Sequence, residues 1–331
     1  MKLTNNVTDT ALVLEGGGMR GVYTAAVVET LLSEGIFIDY VAGISAGSTN
    51  LLNYVSRDPQ RGHKMFVDLA DDPMFSPWKS WIRGKGFVDT DFDSYGADGV
   101  LPFDYEAFMA NPAQTRIGAV DADTGESVYW SKDDIDGVED LMRKKMASSS
   151  PPIYMPPVTI GDRAMIDGSF GEGGGIPLAI AQKDGYEKFF VVFTRERSYV
   201  KKSNDSSAPL VNLVSRKHPA IARANLRRPI EYNATRERLL ELERQGRAYL
   251  FFPEHMSVGK LSRNRAKQQM AYDQGLEQAR REVPRWKQFL GLCPPDGGEG
   301  GADQGLKVGG ADLDVEASPA PGDQDSVELE S

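Results

Sequence analysis

The sequence predicts an α/β fold built on a mainly parallel sheet with helices on both faces. Two observations predict it. In the first fifty residues, short apolar strands alternate with helical segments, and the changes of element fall at glycines. A further strand-sized apolar run, FFVVF at residues 189–193, follows another helical segment later in the chain. Such alternation is typical of parallel strands joined by helices that cover the sheet.

The first elements follow this pattern closely. ALVLEGG, residues 11–17, predicts a buried strand that runs into a glycine turn, and the next helix ends at Gly35, a residue type that favours helix C-termini. FIDYVAGI, residues 37–44, predicts the second strand, and residues 45–57 predict the second helix. Residues 59–70 also have helical spacing.

The middle of the chain predicts two hairpins. In RIGAVDADTGESVYW, residues 116–130, two alternating strands flank an Asp-Thr-Gly turn. Residues 133–150 begin with acids and end with bases, as the dipole of a helix prefers. A proline-rich loop then leads into a short hairpin that ends at Asp167.

The last part of the chain predicts an addition to the same sheet. Residues 229–256 indicate a helix, a turn and the strand AYLFF, and residues 261–290 indicate a long amphipathic helix. We therefore expect a main domain at residues 1–200 that carries the catalytic motifs, and an extension packed on the same unit at 201–292. The acidic residues 293–331 are expected to form a disordered tail.

Composition argues against several classes of protein. The formal net charge is −10, but residues 294–331 hold ten acidic residues and one lysine, so the rest is near neutral and lacks a basic footprint for nucleic acid. The single cysteine, Cys293, excludes an internal disulfide framework. We find no secretory signal, and no apolar run approaches the roughly 18 residues that span a bilayer. We expect a soluble cytoplasmic protein, with peripheral contact at the inner membrane surface left open.

Ser45 lies in a Gly-x-Ser-x-Gly motif, between Gly43 and Gly47. This motif has a mechanical meaning only between a strand and a helix, and both are predicted here. The glycines then allow a tight turn that projects the serine outward, and the N-terminus of the following helix favours an alkoxide. The residues alone leave two interpretations open, a nucleophile and an ordinary strand-to-helix turn.

A second glycine turn, GGGMRG at Gly16 to Gly21, also joins a strand to a helix. Such turns bind phosphate, but the acid of a dinucleotide site would be Asp39, which precedes its strand, and no P-loop Gly-Lys-Ser/Thr follows. The alternative is an oxyanion hole formed by the N–H groups of Gly17, Gly18 and Met19. In adjacent parallel strands both turns would lie side by side at the C-terminal edge of the sheet.

Asp167 is the candidate base. The three histidines, His63, His218 and His255, lie in polar helical or loop segments. Asp167 instead ends an apolar segment and precedes Gly168 in a glycine-rich loop. A carboxyl group buried beside a serine can have its pKa raised and accept a proton. Taken alone, this segment also fits an ordinary Asp-Gly turn.

Together these motifs resemble those of the patatin-like phospholipases. That family is marked by Gly-Gly-Gly-x-Arg/Lys-Gly, Gly-x-Ser-x-Gly and a later Asp-Gly-Gly/Ala, which appear here in order as GGGMRG, GISAG and DGS. ASSSPP, residues 147–152, is similar to a further family segment, and the resemblance covers roughly residues 11–195. Ser169 departs from the pattern, because the family usually has Gly or Ala there.

The resemblance implies a patatin-like three-layer α/β/α fold and a serine–aspartate dyad, with Ser45 as nucleophile and Asp167 as base. It implies hydrolysis of lipid acyl esters through an acyl-enzyme, with no metal or organic cofactor. The oxyanion hole would comprise Gly16, Gly17, Gly18 and Met19. Supporting roles would fall to Arg20, Gly21, Gly43, Gly47 and Gly168. Arg20 could hold the oxyanion turn or a phosphate, or form only a surface ion pair.

Several alternatives stay open. The chain could be a non-catalytic lipid- or protein-binding module of this fold, a nucleotide-binding protein, or an acyltransferase that passes the acyl group to an alcohol. The sequence does not indicate an oligomeric state. The segment Met74–Phe87 mixes Trp78 and Trp81 with basic residues. It suits either a lipid-access lip at a membrane interface or a packed core under solvated lysines, and we favour the packed core.

Overall fold

The computed structural model describes residues 3–71, 101–152, 154–202 and 215–292, which belong to one compact unit that ends at Leu292. The strands are β1 (Thr10–Leu14), β2 (Tyr40–Ile44), β3 (Gln114–Asp121), β4 (Ser127–Trp130), β5 (Val158–Ile160), β6 (Arg163–Asp167), β7 (Lys188–Val192) and β8 (Ala248–Phe251). The helices are α1 (Gly21–Ser33), α2 (Ala46–Val55), α3 (Arg61–His63), α4 (Tyr105–Ala110), α5 (Gly137–Ser148), α6 (Leu178–Lys183), α7 (Pro219–Arg244) and α8 (Arg265–Phe289).

The strands form one sheet in the order β5-β6-β3-β2-β1-β7-β8, and β4 pairs with β3 as well. From β3 to β8 along this order every pair is parallel. The β5–β6 hairpin and β4 add to β3 in antiparallel fashion. The predicted α/β fold with a mainly parallel central sheet is therefore confirmed. The strand β8 extends this sheet beside β7, with Tyr249 opposite Phe190.

Alternate residues of β1 face two different helix layers, because successive side chains of a strand point to opposite faces. Leu12 and Leu14 belong to a buried cluster with residues of α1, α2, α5 and α8. Ala11 and Val13 belong to another cluster, with residues of α6 and α7. The sheet is thus covered on both sides, which gives the three layers that the resemblance implies.

The pairing of β3 determines which strand ends meet. Gly118 is paired with Ile44 of β2, and Ala119 is paired with Asp167 of β6, while β4 is paired with both Gly118 and Ala119. Because a strand has only two edges, β4 occupies one edge and β2 and β6 follow each other along the other edge. The last residues of β2 and of β6 therefore come together from opposite directions.

Helix α7 begins ten residues earlier than the sequence predicts and contains Pro229 in its interior. A proline inside a helix removes one backbone hydrogen bond, so a start at Pro229 is the natural interpretation of the sequence. The earlier turns are held by tertiary packing, since Ile221 and Ala224 lie in a buried cluster with residues of β3 and β6, and Ala220 is buried as well. Burial of this apolar surface offsets the missing hydrogen bond.

Other predictions differ in detail or lie elsewhere. Residues 59–70, which have helical spacing, form the short α3 followed by a π-helical turn at Lys64–Asp68. The aromatic and basic segment Met74–Phe87 and the acidic tail from residue 293 lie outside the described residues. Among the helices described above, none is both long enough and apolar enough to cross a membrane.

Candidate active site

Ser45 has a backbone conformation that residues with a side chain rarely adopt. Its φ is 56° and its ψ is −122°, between the end of β2 and the start of α2. Such a conformation costs about 1–3 kcal/mol and persists only when the surroundings enforce it. A Cβ on Gly47 would lie 2.2 Å from the carbonyl oxygen of Leu14, and one on Gly43 would lie 2.5 Å from that of Gly47. Both glycines of the motif are thus required by close backbone approach.

The hydroxyl of Ser148 joins this turn to β3. The backbone N–H of Ser45 donates to Ser148 Oγ at 3.0 Å, and that hydroxyl donates to the carbonyl of Gly118 at 2.6 Å. Two residues later, the carbonyl of Ser150 accepts a hydrogen bond from the N–H of Asp167 at 2.9 Å. One short segment, from the ASSSPP run, therefore fixes the backbone of both proposed dyad residues. The sequence pointed to this run only through the family pattern and assigned Ser148 no role.

Asp167 is buried at the end of β6, with 1% of its surface exposed. Its Oδ1 accepts a hydrogen bond from the N–H of Ser169 at 2.8 Å, which holds one carboxylate oxygen in place. The register on β3 brings Asp167 next to the turn that carries Ser45. The structure thus brings together the two residues that the sequence selects as nucleophile and base.

Two further glycines of the prediction mark close contacts around these residues. A Cβ on Gly168 would lie 2.4 Å from the carbonyl oxygen of Gly118, so only a glycine lets the chain after Asp167 approach β3. A Cβ on Gly21 would lie 2.8 Å from the Cβ of Ala46, where α1 and α2 begin side by side. Both positions shape the backbone at the site without presenting a functional group.

The glycine turn offers fewer donors than predicted. The N–H of Gly16 donates to a carbonyl in the loop before α6 at 3.0 Å, and that of Met19 donates to the carbonyl of Lys260 at 3.0 Å. Across the described ranges, the N–H groups of Gly17 and Gly18 have no acceptor. In this structure both N–H groups are thus already bonded, and the oxyanion role expected of Gly16 and Met19 stays a prediction. Gly17 and Gly18 are the two that remain free.

Thr194 holds the glycine turn in place through hydrogen bonds. Its carbonyl accepts a hydrogen bond from Arg20 Nε at 3.1 Å, and its N–H donates to the buried carboxylate of Glu15 at 2.5 Å. Its hydroxyl also donates to the carbonyl of Gly16 at 3.2 Å. Arg20 is 6% exposed, and within the described residues its side chain bonds the carbonyl of Thr194 and forms no ion pair at the surface. Burial lowers the pKa of Arg20 to about 10, which keeps the side chain charged at neutral pH.

Ser45, Gly16 and Gly17 line a small pocket that is partly open to solvent. Four cationic side chains line the same pocket: Arg20, Lys201, Arg228 and Lys260. The last three come from the loop after β7, from α7 and from the loop after β8, and the sequence analysis missed them. Burial, and then repulsion by Arg228, lowers the pKa of Lys201 to about 6 and that of Lys260 to about 8.

The histidines lie elsewhere. His63, His218 and His255 do not line this pocket. Each is near a carboxylate of its own, at 3.3, 2.6 and 3.8 Å respectively: Asp68, Asp123 and Glu196. In the ranges that the structure describes, no group of three His, Cys, Asp or Glu residues could hold a metal ion.

Comparisons with known proteins found two similar proteins. The uncharacterized protein YjjU of Escherichia coli (strain K12) is 25% identical over 228 residues, which are 62% of this chain and 60% of that protein. This chain thus matches less than two thirds of YjjU. VipD from Legionella pneumophila has a similar structure at a TM-score of 0.45 and 11% identity, over 84% of this chain and 67% of that one.

Two family models match different parts of the chain. Residues 218–291 match a domain of unknown function, DUF6363. Residues 12–181, more than half of the chain, match the patatin-like phospholipase model. That range includes the last part of β1, the strands β2 to β6, both glycine turns, Ser45 and Asp167. The protein therefore belongs to the patatin-like phospholipase family.

Proposed function

We propose that this protein hydrolyses lipid acyl esters with Ser45 as the nucleophile and Asp167 as its base. The observation that carries the proposal is the register of β3, which brings the strained turn at Ser45 and the buried Asp167 to one strand edge. The free N–H groups of Gly17 and Gly18 support it, because Gly17 lines the same pocket as Ser45.

In the first half of the reaction, Ser45 Oγ forms a bond to the ester carbonyl carbon and its proton passes to the Asp167 carboxylate. The N-terminus of α2 favours negative charge near Oγ. The N–H groups of Gly17 and Gly18 bind the tetrahedral oxyanion, and losing one such donor typically costs about 3 kcal/mol in the barrier. The carbon–oxygen bond to the alcohol then breaks, and the alcohol leaves with the proton from Asp167.

In the second half, water attacks the acyl-serine while Asp167 accepts one of its protons. The bond between the acyl carbon and Ser45 Oγ breaks, and Oγ regains a proton from Asp167. The fatty acid is released and the enzyme is restored. Each proton transfer uses the same carboxylate, so no histidine is required.

Labelling by a fluorophosphonate probe, together with hydrolysis of p-nitrophenyl esters, tests the proposal. We expect the wild type and the control Ser33→Ala, whose serine is exposed at the end of α1, to be labelled and active. Ser45→Ala should be neither labelled nor active. Labelling of Ser45→Ala at the wild-type rate would overturn the nucleophile. A folded wild type that is never labelled and hydrolyses no ester would favour the non-catalytic module, and ester formation with an added alcohol would favour the acyltransferase.

We include peripheral membrane contact in this proposal, at an exposed stripe of α7. Leu226 and Ile230 are each 70% exposed, one helical turn apart. Arg223 and Arg227 are exposed at the intervening helical spacing, so apolar and basic side chains share one face. This combination suits an anionic membrane surface, where apolar side chains insert and arginines face the head groups.

Sedimentation with vesicles tests the stripe. We expect the wild type to bind vesicles that contain phosphatidylserine and to bind neutral vesicles less well. The double variant Leu226→Ser with Ile230→Ser should lose this binding. Met270→Ser, which removes a 55% exposed methionine of α8, should keep it. Equal binding by the wild type and the double variant would contradict this contact.

A further inference from the structure

Three cations outside the patatin-like match converge on the pocket of Ser45. Lys201, Arg228 and Lys260 line it from three separate segments. In the described part of the chain none of them forms an ion pair with an acidic side chain. Two of them lie over aromatic rings instead. Lys201 Nζ is 4.3 Å from the ring centre of Tyr232, and Arg228 Cζ is 5.0 Å from that of Phe170. Neither contact supplies a negative charge.

Two buried polar atoms in the pocket have no hydrogen-bond partner among the described residues. They are Arg228 Nε and Ser169 Oγ. Ser169 is 4% exposed, and both residues line the pocket. A buried donor left unpaired costs about 1–3 kcal/mol, so native proteins rarely keep one without a ligand or a functional reason. An arginine can only donate, which means that the group missing from this pocket is an acceptor.

The net charge of the pocket also favours an anionic ligand. Among the described residues, the carboxylates with the largest effects on Arg20, Lys201, Arg228 and Lys260 are those of Glu15 and Asp167. Glu15 already accepts the N–H of Thr194. Attraction to Asp167 opposes the burial that lowers the pKa of Arg228, but mutual repulsion among the cations adds to that burial at both lysines. A bound anion would remove this repulsion.

We propose that Lys201, Arg228, Lys260 and Ser169 bind an anionic phosphate group of the substrate, in the same pocket as the nucleophile. The word substrate rests on the function proposed above. Phosphate oxygens provide several acceptors at once and match both the arginine fork and the lysine ammonium groups. A zwitterionic head group would place its own cation beside Lys201, Arg228 and Lys260, which would repel it. The site therefore selects esters that carry an uncompensated phosphate over neutral and zwitterionic ones.

The residues proposed to bind the phosphate and those proposed to cleave the ester lie in different parts of the sequence. Arg228 and Lys260 lie in the stretch that matches the domain of unknown function, and Lys201 lies between the two matched ranges. Ser45 and Asp167 lie within the patatin-like match. The C-terminal part of the chain thus supplies the groups that choose the substrate's head group.

Binding to the inactive Ser45→Ala protein tests the anion site apart from hydrolysis. The ligands are short-chain phosphatidic acid, phosphatidylcholine, diacylglycerol and inorganic phosphate, measured by titration calorimetry. We expect phosphatidic acid to bind at least about tenfold more tightly than the other two lipids, since hydrogen bonds to charged groups are the strong ones. Adding Arg228→Gln or Lys201→Gln should weaken that binding roughly tenfold. The matched controls are Arg238→Gln, at an exposed position of α7, and Lys202→Gln, at the exposed position next to Lys201, and both should change nothing.

Other outcomes overturn the proposal in distinct ways. Equal affinity for the three lipids, unchanged by Arg228→Gln, would show that the cations bind no head group. Tight binding of inorganic phosphate without any preference for phosphatidic acid would show a site for a free anion. Kinetics on the wild type separate the two proposals. Hydrolysis of p-nitrophenyl esters without preference for anionic lipids would remove this inference alone, while anion binding without any ester hydrolysis would remove the proposed function and leave the phosphate site.

Discussion

Ile44 and Asp167 are paired with consecutive residues along one edge of β3, Gly118 and Ala119. Ser45 follows Ile44 directly, so the two strands bring the proposed nucleophile and the proposed base to one point from opposite directions. Backbone hydrogen bonds of a sheet set this relationship, and the lengths of the loops between the strands do not. The arrangement is therefore as rigid as the centre of the sheet.

Asp167→Asn should abolish most of the activity while keeping the fold. The amide oxygen still accepts the hydrogen bond from Ser169, but the side chain no longer accepts a proton. Loss of a general base lowers kcat by about 10²- to 10⁴-fold. The control is Asp162→Asn, in the exposed turn between β5 and β6. Full activity of Asp167→Asn towards p-nitrophenyl esters would rule out the dyad.

Ser148→Ala should destabilise the protein by about 1–3 kcal/mol, because it leaves the N–H of Ser45 and the carbonyl of Gly118 without their shared partner. Ser149→Ala is the matched control, since Ser149 Oγ is buried without a hydrogen-bond partner among the described residues. We expect its free energy of unfolding to be unchanged or slightly higher. Urea unfolding followed by circular dichroism measures both, and equal losses in the two variants would speak against the bridging role.

Gly47→Ala should destabilise the protein by about 1–3 kcal/mol through overpacking, because the added methyl would lie 2.2 Å from the carbonyl oxygen of Leu14. Gly259→Ala provides a control in which the methyl meets open space at an ordinary backbone conformation. Its melting temperature should stay near that of the wild type. An unaltered melting temperature for Gly47→Ala would mean that the backbone at Leu14 can move away from the added methyl without a loss of stability.

Anion binding should weaken as pH rises. Burial and the cations Arg228, Arg20 and Lys260 lower the pKa of Lys201 to about 6, with Glu15 opposing them, and similar causes lower that of Lys260 to about 8. A lysine attracts an anion only in its protonated form, so affinity is highest below both values and falls in two steps as pH rises through them.

Sulfate is the probe for this dependence, because its charge is constant where lysines titrate. We expect the affinity of Ser45→Ala for sulfate to fall through both steps, and Lys201→Gln to remove the step at lower pH. The increase in melting temperature caused by sulfate should fall in parallel, since a ligand stabilises the folded state according to its affinity. An affinity that is the same in acid and in base would contradict a role for the lysines.

Features of the site that depend on residues adjacent in the sequence could be predicted best. The strand at β2, the turn at Ser45 and the glycines around it are encoded within eight residues, and the structure shows the backbone that they require. Asp167 could be selected because glycines follow an apolar strand. These signals are local, so a single sequence is sufficient to read them.

Features that depend on distant contacts could not be predicted. Lys201, Arg228 and Lys260 occur in polar stretches, where charged residues normally face water, and only the fold turns them towards one pocket. The bonding of the Met19 N–H to the carbonyl of Lys260 is equally invisible in the glycine motif. The early start of α7 also needed tertiary packing to override a proline.

The hydrogen bond between Met19 and Lys260 determines when the glycine turn beside Ser45 can be completed during synthesis. Translation produces the N-terminal residues first, so the glycine turn and Ser45 leave the ribosome long before Lys260 is synthesised. A nascent chain can form the serine turn, but the carbonyl that fixes the glycine turn is missing until the loop after β8 has been made. The reactive site is thereby completed last, when nearly the whole described chain has been synthesised.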